Sequence, residues 1–112
     1  MNDCLFCKIV KNQLPATKVH EDEHTLPFKD IHPKAPVHLL VIPKEHFTGI
    51  HDVPLEKIDV ITQVFKAVHS IVTKNNLIEN GYRLVINAGE KAGQVVGHLH
   101  VHILSGREMR GF

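Results

Sequence analysis

The chain has 112 residues, 43% hydrophobic and 22% charged, an ordinary balance for one packed domain. Thirteen Lys and Arg against twelve Asp and Glu leave a formal charge of +1 with no basic run, which argues against a nucleic-acid partner. No apolar stretch reaches the ~18 residues of a membrane span, and MNDCLFCKIV lacks a signal-peptide core, so the expectation is one cytoplasmic domain over residues 1–112 with no membrane contact.

In chain order, CLFCKIVKNQ places Leu5 and Ile9 at helical spacing and is expected to form a short helix. TKVHEDEHTLPFKD reads as two short strands around Glu21-Asp22-Glu23, with Pro27 confined to a sheet edge or bulge because it cannot donate to a ladder. DIHPKAP is a loop, since each proline pushes the residue before it out of helical geometry. VHLLVIP is a strand that Pro43 ends. Asp52 as N-cap and Pro54 in the first turn open a long helix on which Ile58, Ile61, Phe65, Val68 and Val72 recur at spacings of three and four. A second stripe, Val60, Val64, Ala67 and Ile71, runs beside the first. Either one broad core face or a second copy of the chain would explain it. After Asn75-Asn76, GYRLVINAG is a strand, KAGQVV a glycine-containing loop and GHLHVHIL the last strand. These elements define an α+β fold with a mainly antiparallel sheet of about five strands, one long helix and a short N-terminal helix.

The chemistry concentrates in GHLHVHIL. Side chains alternate across a strand, so His98, His100 and His102 share one face while Leu99, Val101 and Ile103 share the other. Imidazole can bind a metal, shuttle protons or attack an electrophile. Three ligands at i, i+2 and i+4 converge poorly on one ion, whereas a nucleophile with helpers needs only the middle ring to touch the reacting atom. Gly93 and Gly97 would let backbone approach a ligand closely. Cys4 and Cys7, two residues apart in C-L-F-C, suit tetrahedral zinc if two more ligands join them; a redox pair and two thiols without a role stay open beside it. His38 sits among apolar residues, which points to a structural histidine. His20, His24, His32, His51 and His69 fall in turns or on the polar helix face and read as surface residues.

Taken together, C-L-F-C-K-I-V, F-K-D-I-H-P-K-A-P-V-H-L-L-V-I-P-K-E-H, R-L-V-I-N-A-G and G-Q-V-V-G-H-L-H-V-H-I-L-S-G-R resemble the histidine-triad (HIT) family along nearly the whole chain. The nearest resemblance is to its nucleoside-phosphoramidase (Hint) branch, in the bacterial-type form with an N-terminal Cys pair. The resemblance implies a purine nucleotide ligand and a hydrolase in which His100 attacks the α-phosphorus to give a covalent nucleotidyl-histidine. It places His102 and His38 beside the phosphate and Asp30 on the ribose hydroxyls. Phe28, Ile31 and Leu14 would line the nucleoside pocket, with Asn87, Gly93, Gln94 and Val95 around the phosphate. It also implies structural Zn²⁺ on Cys4, Cys7, His46 and His98, and a homodimer. Many relatives carry a hydroxyl where this chain has Val95, so only a backbone amide would serve there. A binding module with little activity, or a dinucleoside polyphosphate hydrolase, are the rival readings.

Overall fold

The computed structural model describes residues 3–111. Its sheet has four antiparallel strands, β1 (Thr25–Lys29), β2 (Val37–Pro43), β3 (Tyr82–Val85) and β4 (Val101–Ser105), in the order β1-β2-β4-β3. Two helices cover it, α1 (Leu5–Val10) on one face and α2 (Asp59–Lys74) on the other. The period-two alternation builds both layers. Leu39 and Val41 of β2 and Val101 and Ile103 of β4 pack on Val64, Ala67, Val68, Ile71 and Val72 of α2. Leu40 and Ile42 of β2, with Leu26 and Phe28 of β1, pack on Phe6 and Ile9 of α1.

Pro27 lies on an edge strand, as its missing donor requires. Its carbonyl points outward and accepts from the Val19 amide over 3.0 Å, so its nitrogen also faces outward, away from β2. Of the two short strands expected around Glu21-Asp22-Glu23, the first reduces to a single bridge, Lys18 with Phe28. Pro27 offers that segment an acceptor but no donor, and the ladder cannot extend past it.

Three boundaries differ from the sequence pattern. Asp52 does not cap the long helix: its Oδ2 accepts from the Thr48 amide over 3.0 Å, closing a short 3₁₀ turn at Ile50–Asp52. A second such turn at Leu55–Lys57 follows Pro54, and α2 begins only at Asp59. The two stripes of α2 also divide differently: Val64, Ala67, Val68, Ile71 and Val72 are buried, while Ile58 and Phe65 remain exposed. Finally, GHLHVHIL is strand only from Val101. Its ladder with β2 ends at the Val41–Val101 pair, and the Leu99 amide turns to the Phe47 carbonyl over 2.6 Å, so His98 and His100 lie in a bent lead-in.

Because Ile103 is fully buried between sheet and α2, Ile103→Ala should lower the unfolding free energy by about 2–5 kcal/mol in urea titration. Leu55→Ala, at a residue 84% exposed, should change it by no more than about 0.5 kcal/mol.

Candidate functional site

The α1-facing side of the sheet carries two clusters of titratable groups that meet along the lead-in to β4. In the first, the His100 ring is buried edge-on to Phe6 with ring centroids 5.2 Å apart, and beside His102 at 4.9 Å. Its Nδ1 lies 2.6 Å from the His98 carbonyl. A carbonyl can only accept, so Nδ1 carries the proton and the lone pair of the neutral ring is on Nε2. Burial lowers the pKa of this ring, keeping that lone pair free near neutral pH. Asp30, His38 and His102 complete the group: His38 Nε2 lies 2.9 Å from His102 Nδ1 and 3.3 Å from Asp30 Oδ2. His38 is almost fully buried but hydrogen-bonded at both nitrogens, and so combines the structural place read from its apolar neighbours with a place in the cluster.

The second cluster joins Cys4 and Cys7 at the start of α1, His46 after β2, and His98. His98 Nδ1 lies 3.4 Å from Cys4 Sγ, 3.6 Å from Cys7 Sγ and 3.1 Å from His46 Nδ1, and Cys7 Sγ lies 3.2 Å from His46 Nδ1. A zinc tetrahedron with ordinary Zn–S and Zn–N bonds has edges of roughly 3.3–3.8 Å, so four donors of the right type already stand near ligand spacing. The ring that must present a lone pair does so. His98 Nε2 lies 2.9 Å from the Pro43 carbonyl and donates to it, leaving Nδ1 unprotonated toward the sulfurs. Burial also holds His98 at a pKa of about 4, in the neutral form a metal needs.

The same test excludes a metal on Asp30, His38 and His102, although their donor atoms lie within 4.8 Å of one another. His38 Nδ1 accepts the Lys34 amide over 3.0 Å, so the proton of its neutral ring sits on the nitrogen a metal would need.

The remaining residues named from the sequence divide. Asn87 and Gln94 lie in the loop before His98, and each is engaged in holding that loop. Asn87 Nδ2 donates to the Ala92 carbonyl over 2.8 Å; Gln94 Oε1 accepts the Gly89 amide and its Nε2 donates to the Thr48 carbonyl, both over 2.7 Å. Gly93 takes a left-handed φ of 94°, which closes the loop's short 3₁₀ turn. Val95 projects into solvent, 92% exposed. Phe28 is buried beneath Phe6, Leu14 packs half-buried on the same cluster, and Ile31 is exposed in the β1–β2 loop. His20, His24, His32, His51 and His69 are all exposed, as read. Sequence reasoning missed Phe6 as a wall for the His98 and His100 rings; its place between the cysteines was the only signal. The carbonyls of Pro43 and His98 and the amide of Lys34 have no side-chain signal at all.

An antiparallel sheet bearing alternate histidines on the face that α1 covers, with a carbonyl-held central ring, defines a histidine-triad domain. The HIT domain family model matches residues 11–109, and the chain belongs to the HIT family. It is 43% identical to a 14 kDa zinc-binding protein of Zea mays, over 94% of this chain and 83% of the maize protein. Among solved structures it resembles a HIT family hydrolase from Clostridium thermocellum, with TM-score 0.93 and 41% identity over 100% of this chain and 97% of that one. A histidine triad nucleotide-binding protein from Candida albicans superposes with TM-score 0.86 at 35% identity, covering 95% and 76% of the two chains. Among the described residues no helix is long and apolar enough to cross a membrane.

Burial first, then the neighbouring His100 and His38, push His102 from 6.5 to about 4. The unfolded chain therefore takes up this proton first as pH falls. Its contribution to stability is complete above pH 6.5 and declines steadily toward pH 4. The thermal midpoint should fall across that window, and His102→Asn should flatten the fall; an unchanged slope in the variant would remove His102 as a source of acid sensitivity.

Proposed function

We propose that this protein is a hydrolase of purine nucleoside 5′-phosphoramidates or related nucleotides, of the phosphoramidase branch with an N-terminal Cys-x-x-Cys, acting through a nucleotidyl intermediate on His100. The observation that carries this reading is the 2.6 Å bond from His100 Nδ1 to the His98 carbonyl, which leaves a fixed, neutral Nε2 lone pair. The hydrolase from C. thermocellum and the nucleotide-binding protein from C. albicans support it.

In this mechanism the Nε2 lone pair of His100 attacks the α-phosphorus, the bond to the leaving group breaks with its electron pair going to that group, and the proton stays on Nδ1, hydrogen-bonded to the His98 carbonyl. Water then attacks phosphorus, the bond from His100 Nε2 to phosphorus breaks and returns its pair to the ring, and the proton lost by the water passes to solvent. His102 and His38 stand at the phosphate, where fixed donors meet charge developing on its oxygens. Asp30 takes the ribose hydroxyls, and Phe28, Ile31 and Leu14 bound the base. Asn87, Gly93 and Gln94 shape the loop that offers backbone amides to the phosphate, with the amide of Val95 in place of a hydroxyl. Cys4, Cys7, His46 and His98 would hold Zn²⁺, a structural ion cross-linking α1, the end of β2 and the lead-in to β4; the maize zinc-binding protein supports this. The exposed Ile58 and Phe65 on α2, with Tyr82 and Leu84 on the edge strand β3, support a homodimer joined there. We read the protein as a single cytoplasmic domain without nucleic-acid or membrane partners. A binding module with little activity is the second reading, favoured by one observation: Val95 presents no hydroxyl and is 92% exposed.

His100→Ala should reduce hydrolysis of an adenosine phosphoramidate by roughly 10⁴-fold or more, as loss of a covalent nucleophile does elsewhere, with nucleotide binding retained. Mass spectrometry of quenched wild-type protein should find the nucleotidyl group on His100. Equal turnover by the variant sinks the mechanism, and binding without turnover in the wild type selects the module. Cys7→Ser should lower zinc content by elemental analysis and reduce the thermal midpoint, whereas an unmodified protein without stoichiometric zinc would refute the metal assignment.

A further inference from the structure

The loop between β1 and β2 holds Lys34 from both sides. Its amide donates to His38 Nδ1 over 3.0 Å, and its carbonyl accepts from Arg107 Nε over 2.8 Å. Arg107 also donates through Nη1 to the Glu108 carbonyl over 2.9 Å, and Pro33 and Pro36 restrict the segment from either end. An amide aimed at His38 Nδ1 forbids a proton there, so the neutral ring carries its proton on Nε2. That N–H faces two acceptors, His102 Nδ1 at 2.9 Å and Asp30 Oδ2 at 3.3 Å. His102 Nδ1 is then an acceptor too, and its single proton is forced to Nε2, on the far side of the ring from His38. The opposite arrangement would set two N–H groups against each other, either between the histidines or at Lys34.

We propose that Arg107, acting through Lys34 and His38, is a positioning residue that locks His102 as a neutral Nε2–H donor. Burial and the facing His100, His38 and Lys34, opposed only by Asp30, keep the ring uncharged at neutral pH. The lock has a consequence that rests on the hydrolase reading. A neutral imidazole can donate a hydrogen bond to a phosphate oxygen, but giving its proton away would leave an imidazolate. His102 therefore cannot protonate the leaving group. As the bond from His100 Nε2 to phosphorus forms, the P–N pair departs with an amine that has brought its own proton. Acceptable substrates are those whose leaving nitrogen is already protonated, or whose leaving group is acidic enough to depart as an anion.

Two-bond ¹H–¹⁵N correlation spectra of the ¹⁵N-labelled full-length protein at pH 7 test the lock without any turnover, and so apart from the hydrolase reading. The wild type should show His38 and His102 both protonated on Nε2 and bare at Nδ1. Arg107→Ala should give averaged tautomers at both rings, and Arg107→Lys, which can still donate to the Lys34 carbonyl, should recover the wild-type pattern. A His102 imidazolium or an Nδ1–H form in the wild type overturns the proposal. Unchanged tautomers in Arg107→Ala overturn the part assigned to Arg107.

Discussion

The site depends on His98, one buried residue three of whose polar atoms each hold a different part of it. Nε2 donates to the Pro43 carbonyl at the end of β2, Nδ1 faces Cys4, Cys7 and His46, and the carbonyl accepts the hydrogen bond from His100 Nδ1–H. The pivot exists because β4 begins late. Were residues 98–100 paired to β2 in regular strand geometry, the His98 carbonyl would belong to the ladder or its outer edge and not to a side chain two residues on. The bend at His98, held by the Leu99 amide on Phe47, turns that carbonyl into the anchor of the His100 ring. Any displacement at the sulfur cluster thus reaches the free lone pair through His98 alone.

The two clusters show why five histidines in one region are not interchangeable. What each ring can do is decided by the backbone group behind it. A carbonyl at Pro43 makes His98 present a lone pair at Nδ1, and a carbonyl at residue 98 makes His100 present one at Nε2. An amide at Lys34 makes His38 present a proton instead. The side chains alone would allow a metal at either cluster; the polarity of these backbone partners allows it at one.

That division also explains what was legible in the sequence. Alternation in VHLLVIP and GHLHVHIL gave the two faces of the sheet, because side-chain direction follows from strand geometry alone, and the family motifs supplied the ligand set around Cys4 and Cys7. The edge position of Pro27 followed from one missing donor. The late starts of β4 and α2 did not follow, since they are set by contacts distant along the chain (Leu99 with Phe47) or by a competing local bond (Asp52 with the Thr48 amide). The family resemblance placed Asn87 and Gln94 beside a phosphate; the hydrogen bonds by which they hold their loop, to Ala92 and Gly89 within it and to Thr48 outside it, are made to partners that only the folded chain brings near.

A last constraint concerns charge. His38, His98, His100 and His102 are all shifted toward the neutral form, chiefly by burial, and the basic residues attached to the site, Lys34 and Arg107, are exposed. An ion pair buried beside His100 would hold an anion more strongly, but a fixed cation there would also attract the electron pair that the proposed mechanism directs at phosphorus and add a desolvation cost of its own. Neutral N–H donors avoid both effects: they meet developing charge with oriented dipoles and leave the nucleophile basic. The near-zero net charge of the chain agrees with this arrangement, since recognition of the proposed small anion would then rest on the direction of a few protons and not on a positive field. On this view the bonds that fix proton positions, down to Arg107 on the surface, matter to the chemistry as much as the rings that carry them.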